Sequence, residues 1–142
     1  MSVSRTIGRQ VPFADLLGVE VVHVEPGLAR LELPVRPELC NSFGAAHGGV
    51  LSTLADIALA VAAITRDGRA QGAQTVDLTL SFIAPGSGRL RAEGRCLRAG
   101  ASLAFCDGEV RDESGRLVAK AVGTFQLRRG TSPGDAVAPG QR

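Results

Sequence analysis

The stretch Val50-Leu51-Ser52-Thr53-Leu54-Ala55-Asp56-Ile57-Ala58-Leu59-Ala60-Val61-Ala62-Ala63-Ile64 decides the fold. Its apolar side chains do not keep to one stripe. Val50, Leu51, Leu54, Ala55, Ile57, Ala58, Val61, Ala62 and Ile64 cover almost the whole circumference of a helix, and a helix that is apolar all round is a buried one. Arg66-Asp67-Gly68 ends it, with a cation in the last turn and a glycine stop. Such a helix needs apolar cover on every side.

The flanking sequence supplies strands to give that cover. Upstream, Pro12-Phe13-Ala14-Asp15-Leu16-Leu17 reads as a short helical turn stopped by Gly18. Two β-rich runs, 19–24 and 28–35, then form a hairpin about Glu25-Pro26-Gly27, and Leu28-Ala29-Arg30-Leu31-Glu32-Leu33 alternates with period two. Residues 36–46 form a loop by composition. Downstream come four more strand-like runs, 74–83, 90–97, 102–111 and 117–127, joined by turns at Pro85-Gly86-Ser87-Gly88, Arg98-Ala99-Gly100 and Asp112-Glu113-Ser114-Gly115. The fold class is therefore α+β, a strongly curved antiparallel sheet wrapped around one long central helix.

Size and charge bound the rest. The chain has 142 residues, which is one domain's worth, and reads as a single domain over 1–128 followed by a Gly/Pro/Ser-rich tail over 129–142 expected to be disordered. Sixteen Lys plus Arg against 14 Asp plus Glu, spread along the sequence, give no focused basic patch, so nucleic acid is not an expected partner. Cys40, Cys96 and Cys106 are odd in number and far apart, and with His23 and His47 they complete no zinc set. Free buried thiols fit a reducing compartment, and no metal or cofactor is expected. The N-terminus is polar with no h-region, and no apolar run approaches the roughly 18 to 20 residues that span a bilayer. The expectation is a cytoplasmic protein with no membrane partner.

Chemistry concentrates where the loop enters the helix, at Asn41-Ser42-Phe43-Gly44-Ala45-Ala46-His47-Gly48-Gly49. Two glycines at a helix start leave first-turn N–H groups uncovered at the positive end of the dipole, where an oxyanion could sit. A tight loop-to-helix turn is the ordinary alternative. Asp56 adds weight to the first, because it is the only charged residue between His47 and Arg66. Burying a carboxylate is costly, raises its pKa, and suits a general base or a nucleophile; a structural carboxylate bonded to a nearby hydroxyl is the alternative. Gly48 and Asp56 are eight residues apart, about 12 Å along a helix, too far for one carbonyl to meet both. The two groups then act from different chains, which predicts a homodimer with sites across its interface.

His47-Gly48-Gly49-Val50 through Ala55-Asp56, with Asn41 before it and Thr75-Val76-Asp77-Leu78 after, resembles the hotdog-fold acyl-CoA thioesterases of the phenylacetate-pathway (PaaI-like) group, over about residues 13–127. The resemblance implies that the Gly48 N–H polarises the thioester carbonyl and that Asp56 acts from the opposite subunit. It implies that Asn41 helps place the thioester or the attacking water, that His47 supports the loop by hydrogen bonding, and that the Thr75 hydroxyl orients the water or the carboxylate. Dimers or dimers of dimers are usual in the group. Gly49 falls in the same substrate-binding turn.

Other assignments are chemical. Phe43 and Phe82 could line an acyl pocket, although core packing is the ordinary expectation for each. Coenzyme A phosphates need Arg forks, for which Arg89, Arg91, Arg128 and Arg129 are candidates beside the ordinary reading of solvated charges. His23 is given no role. Cys40 is rejected as a nucleophile, because nothing there would lower its pKa and Asp56 would lack a purpose. The function read from sequence is hydrolysis of an aromatic or medium-chain acyl-CoA. The alternatives are a non-catalytic acyl-CoA sensor or carrier, which needs no buried carboxylate, and a hotdog hydratase or dehydratase, which usually pairs an acid with a helical His that is missing here.

Overall fold

The computed structural model describes residues 1–129. Six strands form one antiparallel sheet in the order β1-β2-β4-β5-β6-β3, comprising β1 (Glu20–Glu25), β2 (Leu28–Pro34), β3 (Ala70–Phe82), β4 (Arg89–Ala99), β5 (Leu103–Arg111) and β6 (Leu117–Arg129). The long helix α3 (Gly48–Thr65) lies inside the curve and packs on every strand. The helix α2 (Pro12–Leu17) ends at Gly18, whose φ of 82° is the left-handed geometry that lets the chain leave the helix.

The core is the joint interior of helix and sheet. Leu54, Ala58, Leu59 and Ala62 of α3 meet Leu31, Leu33, Leu90, Val110, Val118 and Phe125, all fully buried. Gly94 on β4 permits the close approach: a Cβ there would stand 2.4 Å from the Ala58 carbonyl oxygen on α3. The missing side chain here, opposite Ala58, brings helix and sheet within touching distance.

One expectation is corrected here. The helix α3, 18 residues long with a mean hydropathy of 1.7, is long and apolar enough to cross a membrane, contrary to the sequence reading; its cover is the protein's own sheet. The polar N-terminal segment carries a short helix α1 (Val3–Ile7), for which the sequence reading gave no element. Ser2 caps it, Val3 and Ile7 sit four apart on one face, and Val3 is buried. The tail assigned to 129–142 lies outside the described residues except for Arg129, which closes β6.

The two sheet edges differ. On β1, Ser2 bridges to Glu20, and the Val21 N–H donates to the Met1 carbonyl. On β3, 13 residues long, the strand pairs only with β6 among the described residues and exposes Val76 and Phe82.

Candidate active site

The site builds outward from the first turn of α3. His47 is its N-cap, in extended conformation, and its imidazole Nδ1 accepts the Gly49 N–H at 2.8 Å. The His47 carbonyl takes the N–H groups of Val50 and Leu51. Gly48 is different: its N–H has no backbone partner among the described residues. It stands at the positive end of an 18-residue helix, as an open donor. Gly49, expected to bind substrate, has already given its N–H to His47.

The loop before the cap is tied down by Asn41, whose Oδ1 accepts the N–H groups of Phe43 at 2.9 Å and Ala45 at 3.1 Å, an Asx turn. The acceptor of Asn41 is therefore spent on the loop, and its NH2 is the part left for a ligand. Cys40 bridges to Ala46, and its thiol donates to the Arg36 carbonyl. It serves the loop.

Asp56 lies just over two turns down α3 on a half-exposed stripe with Thr53 and Ala60, the side of the helix that faces the β3 edge. Thr75 reaches it from β3, with Oγ1 donating to Asp56 Oδ1 at 2.7 Å. A β-bulge makes this possible. Thr75 pairs with Phe125 and Asp77 with Thr124, so Val76 is an extra residue, and bulges of this kind re-aim neighbouring side chains. Burial pushes the Asp56 carboxyl above the usual aspartate range, and the Thr75 hydroxyl pulls it partly back. This is the environment of a base or nucleophile rather than of a solvated charge.

The expected aromatic positions separate. Phe43 is 91% exposed and touches neither core nor site. Phe82 is 57% exposed, and its ring lies where a Cβ on Gly48 would meet it at 3.5 Å. Neither is a core residue; Phe82 stands beside the open donor. The arginines fare otherwise. Arg89 and Arg91 both pair with Glu32, at 3.1 and 3.2 Å; Arg128 bonds the Gln74 side chain; and Arg129 bonds Asp67 at 2.7 Å. All four have partners within the chain. His23 lies 3.9 Å from Glu25 on the exposed face of β1, away from the site.

An antiparallel sheet wrapped on one apolar helix, with an open N–H at the helix start and a desolvated carboxylate two turns on, defines a hotdog-fold protein of the thioester-hydrolysing class. The chain belongs to the Thioesterase superfamily, whose family model matches residues 43–119. A protein of Saccharolobus solfataricus provisionally named an esterase (SSO2140) is 33% identical over 114 residues, covering 80% of this chain and 81% of that one. The acyl-coenzyme A thioesterase PaaI of Escherichia coli is 28% identical over 127 residues, 87% of each chain. Among solved structures, the TT0310 protein of Thermus thermophilus superposes with a TM-score of 0.73 at 36% identity, over 84% of this chain and 98% of that one. The E. coli PaaI structure superposes at 0.79 and 24% identity, over 91% and 98%, a likeness of fold. Within the superfamily the chain is PaaI-like.

Sequence reasoning missed the bulge at Val76, and for Phe82 it left acyl-pocket lining beside core packing. The bulge leaves no mark in the pattern, because Thr75-Val76-Asp77 reads as ordinary strand. The place of Phe82 was readable in principle, since residues 78, 80 and 82 alternate toward the helix side with Leu78 and Leu80.

Proposed function

We propose that the protein hydrolyses the thioester of an aromatic or medium-chain acyl-CoA to the free acid and CoA, in the cytoplasm, as a homodimer that can pair further into a dimer of dimers. The observation that carries this reading is the Asp56 carboxylate, raised by burial and held by Thr75 at the open β3 edge.

Gly48 and Asp56 of one chain are about 12 Å apart along α3, so a single thioester takes one group from each of two protomers. Antiparallel pairing of β3 with its copy about a two-fold axis would set the two chains' helices side by side, and the apolar Val76 and Phe82 would be covered. The Gly48 N–H then stabilises the oxyanion of the tetrahedral intermediate, the kind of donor whose loss typically costs a hundredfold to a thousandfold in turnover, about 3–4 kcal/mol. The Asp56 carboxylate either takes a proton from water as that water attacks the carbonyl carbon, or attacks the carbon itself to form an acyl anhydride that water hydrolyses to the free acid after the thiolate has left. Thr75 fixes its orientation. The C–S bond breaks and CoA leaves as a thiolate, which needs no strong general acid. Asn41 holds the loop that carries the cap, and Phe82 forms a wall for the acyl group. Arg89 and Arg91 reach a CoA phosphate only by exchanging Glu32 for it.

The test is thiol release from a panel of phenylacetyl-, hydroxybenzoyl-, short- and medium-chain acyl-CoA substrates, with the wild type and Asp56→Ala side by side. Release by the wild type that falls at least about a thousandfold in a folded variant of unchanged oligomer size supports the reading. Binding of acyl-CoA by both proteins with no release from any member replaces it with a sensor or carrier.

A further inference from the structure

The arginines of this chain divide by whether a carboxylate neutralises them. Glu32 holds Arg89 and Arg91, Glu93 holds Arg30 and Arg95, and Asp67 holds Arg69 and Arg129. Among the described residues Arg5, Arg9, Arg66, Arg98 and Arg128 make no ion pair. Three of these gather near the start of β3. Arg9 lays its guanidinium over Gly72, with Nη1 3.5 Å from the Gln71 carbonyl oxygen and 3.4 Å from where a Cβ at position 72 would stand. Arg128 lies opposite Gly72 on β6 and bonds the Gln74 side chain, a neutral partner that leaves its charge in place. Arg5 shares with Arg9 an open cleft of about 400 Å³ beside Gly8. Asp15 on α2 accepts the Ser4 hydroxyl at 2.8 Å and pairs with neither guanidinium. Cations gathered without a counter-charge raise the local potential and draw an anion.

We infer that Arg5, Arg9 and Arg128 take the phosphates of the CoA moiety, whose pantetheine arm runs from Asp56 along the same chain's β3 to Gly72. This inference rests on the proposed thioesterase reading. The lengths agree. Gly72 precedes Thr75 by three residues, about 10 Å along the strand. From the thioester sulfur to the nearer phosphorus CoA has about thirteen bonds, roughly 15 Å when extended at a polypeptide's reach of ~3.4 Å per three bonds. The nearer phosphate therefore comes down at or just past Gly72, where Arg9 stands, and guanidinium forks match phosphate oxygens bidentately. The two ends of β3 set the direction. At the far end Phe82 and Ile83 are 57% and 52% exposed, an apolar end beside Gly48. The Gly48 that meets Asp56 comes from the second protomer, so each site has the basic end of one β3 and the apolar end of the other on either side of the carbonyl. Nucleotide and acyl group are thereby sent opposite ways.

The experiment compares the best acyl-CoA of the panel with the S-acyl pantetheine of the same acyl group, which keeps the thioester and the arm but carries no phosphate. Thiol release is measured for wild type, Arg5→Gln/Arg9→Gln and Arg98→Gln, the last an exposed arginine on β4 that also lacks an ion pair. The expected result for the double variant is a KM for acyl-CoA raised about tenfold with kcat within about twofold, the mark of lost uniform binding, and no change on the pantetheine thioester. Arg98→Gln is expected to match wild type on both substrates. A double variant whose KM for acyl-CoA stays at the wild-type value overturns the inference, and so does an equal rise on both substrates or in Arg98→Gln. Calorimetry with free CoA reads the same contact without turnover. Its Kd is expected to weaken about tenfold in the double variant and further when Arg128→Gln is added; a Kd that all three substitutions leave unchanged overturns the inference. CoA bound through these arginines to a protein that releases no thiol from any substrate refutes the thioesterase reading and leaves the phosphate site standing. Thiol release with a KM indifferent to them does the reverse.

Discussion

The two edges of the sheet carry the same irregularity and use it differently. On β1 the register slips between Val21 and His23, leaving Val22 as the extra residue, 53% exposed; on β3 it slips between Thr75 and Asp77, leaving Val76, 58% exposed. Beside the β1 bulge only Val21 is buried, and it joins the apolar core. That strand is short, carries Glu20, His23 and Glu25, and is bridged by the N-terminal segment, all of which blunt an edge. The β3 bulge aims Thr75 at Asp56, on a strand twice as long whose outer edge is unpaired among the described residues. The β3 edge differs in that its irregularity points at a half-buried carboxylate and its length is unpaired among the described residues.

Four substitutions probe this contrast. Asp56→Asn is the strongest, removing the group that the β3 edge serves: kcat is expected to fall about a thousandfold or more, measured by thiol release. Its stability moves the other way. Because the folded-state carboxyl is raised, ionisation of Asp56 favours the unfolded chain as pH climbs from the unfolded aspartate range through the folded pKa. Thermal melts should show the Asn variant at least as stable as wild type near pH 8, with the advantage vanishing below about pH 4.

If β3 pairs with its copy as proposed, Val76→Lys should give a monomer by light scattering and lower kcat/KM about a hundredfold, because a lysine on each edge opposes pairing. Val22→Lys is its control, with expected changes below about twofold in both measurements, since exposed substitutions away from special features have small effects. Equal behaviour of the two would erase the distinction between the edges. Of the three substitutions at the β3 site, Thr75→Val has the smallest effect on rate, about tenfold. It also removes the bond that lowers the Asp56 pKa, so the acidic limb governed by Asp56 should move to higher pH; a limb moving lower would contradict the assigned cause.

Much of this was legible in the sequence for one physical reason: burial all round a helix leaves an unmistakable composition. From 50–64 follow the central helix, the wrapped sheet, and the oddity of Asp56. Strand existence was readable from period two and the turn residues, with bounds wrong by a few positions, as at β3, which begins at Ala70 rather than 74. What escaped was decided by contacts between distant residues. Arg89 and Arg91 look free in sequence, and only the pairing of β2 with β4 delivers Glu32 to both. Phe43 and Phe82 look alike as lone aromatics, but an Asx turn throws the first into water while strand alternation sets the second beside Gly48. Gly94 gives no sign of its role, because the Ala58 carbonyl it accommodates belongs to another element.

Strand order also sets the sequence in which these parts can come together. The pairs β4–β5 and β5–β6 are hairpins that close short loops, whereas β3 must find β6 across the whole of β4 and β5, with Phe82 opposite Ala119 and Ala70 opposite Arg129. Loop-closure entropy makes this pairing, like that of β2 with β4 across α3 and β3, slower to form than the hairpins. The register that aims Thr75 at Asp56, bulge included, is thus set by the pairing of β3 with β6, and a chain that has not made this pairing carries a carboxylate whose hydroxyl partner is not yet fixed.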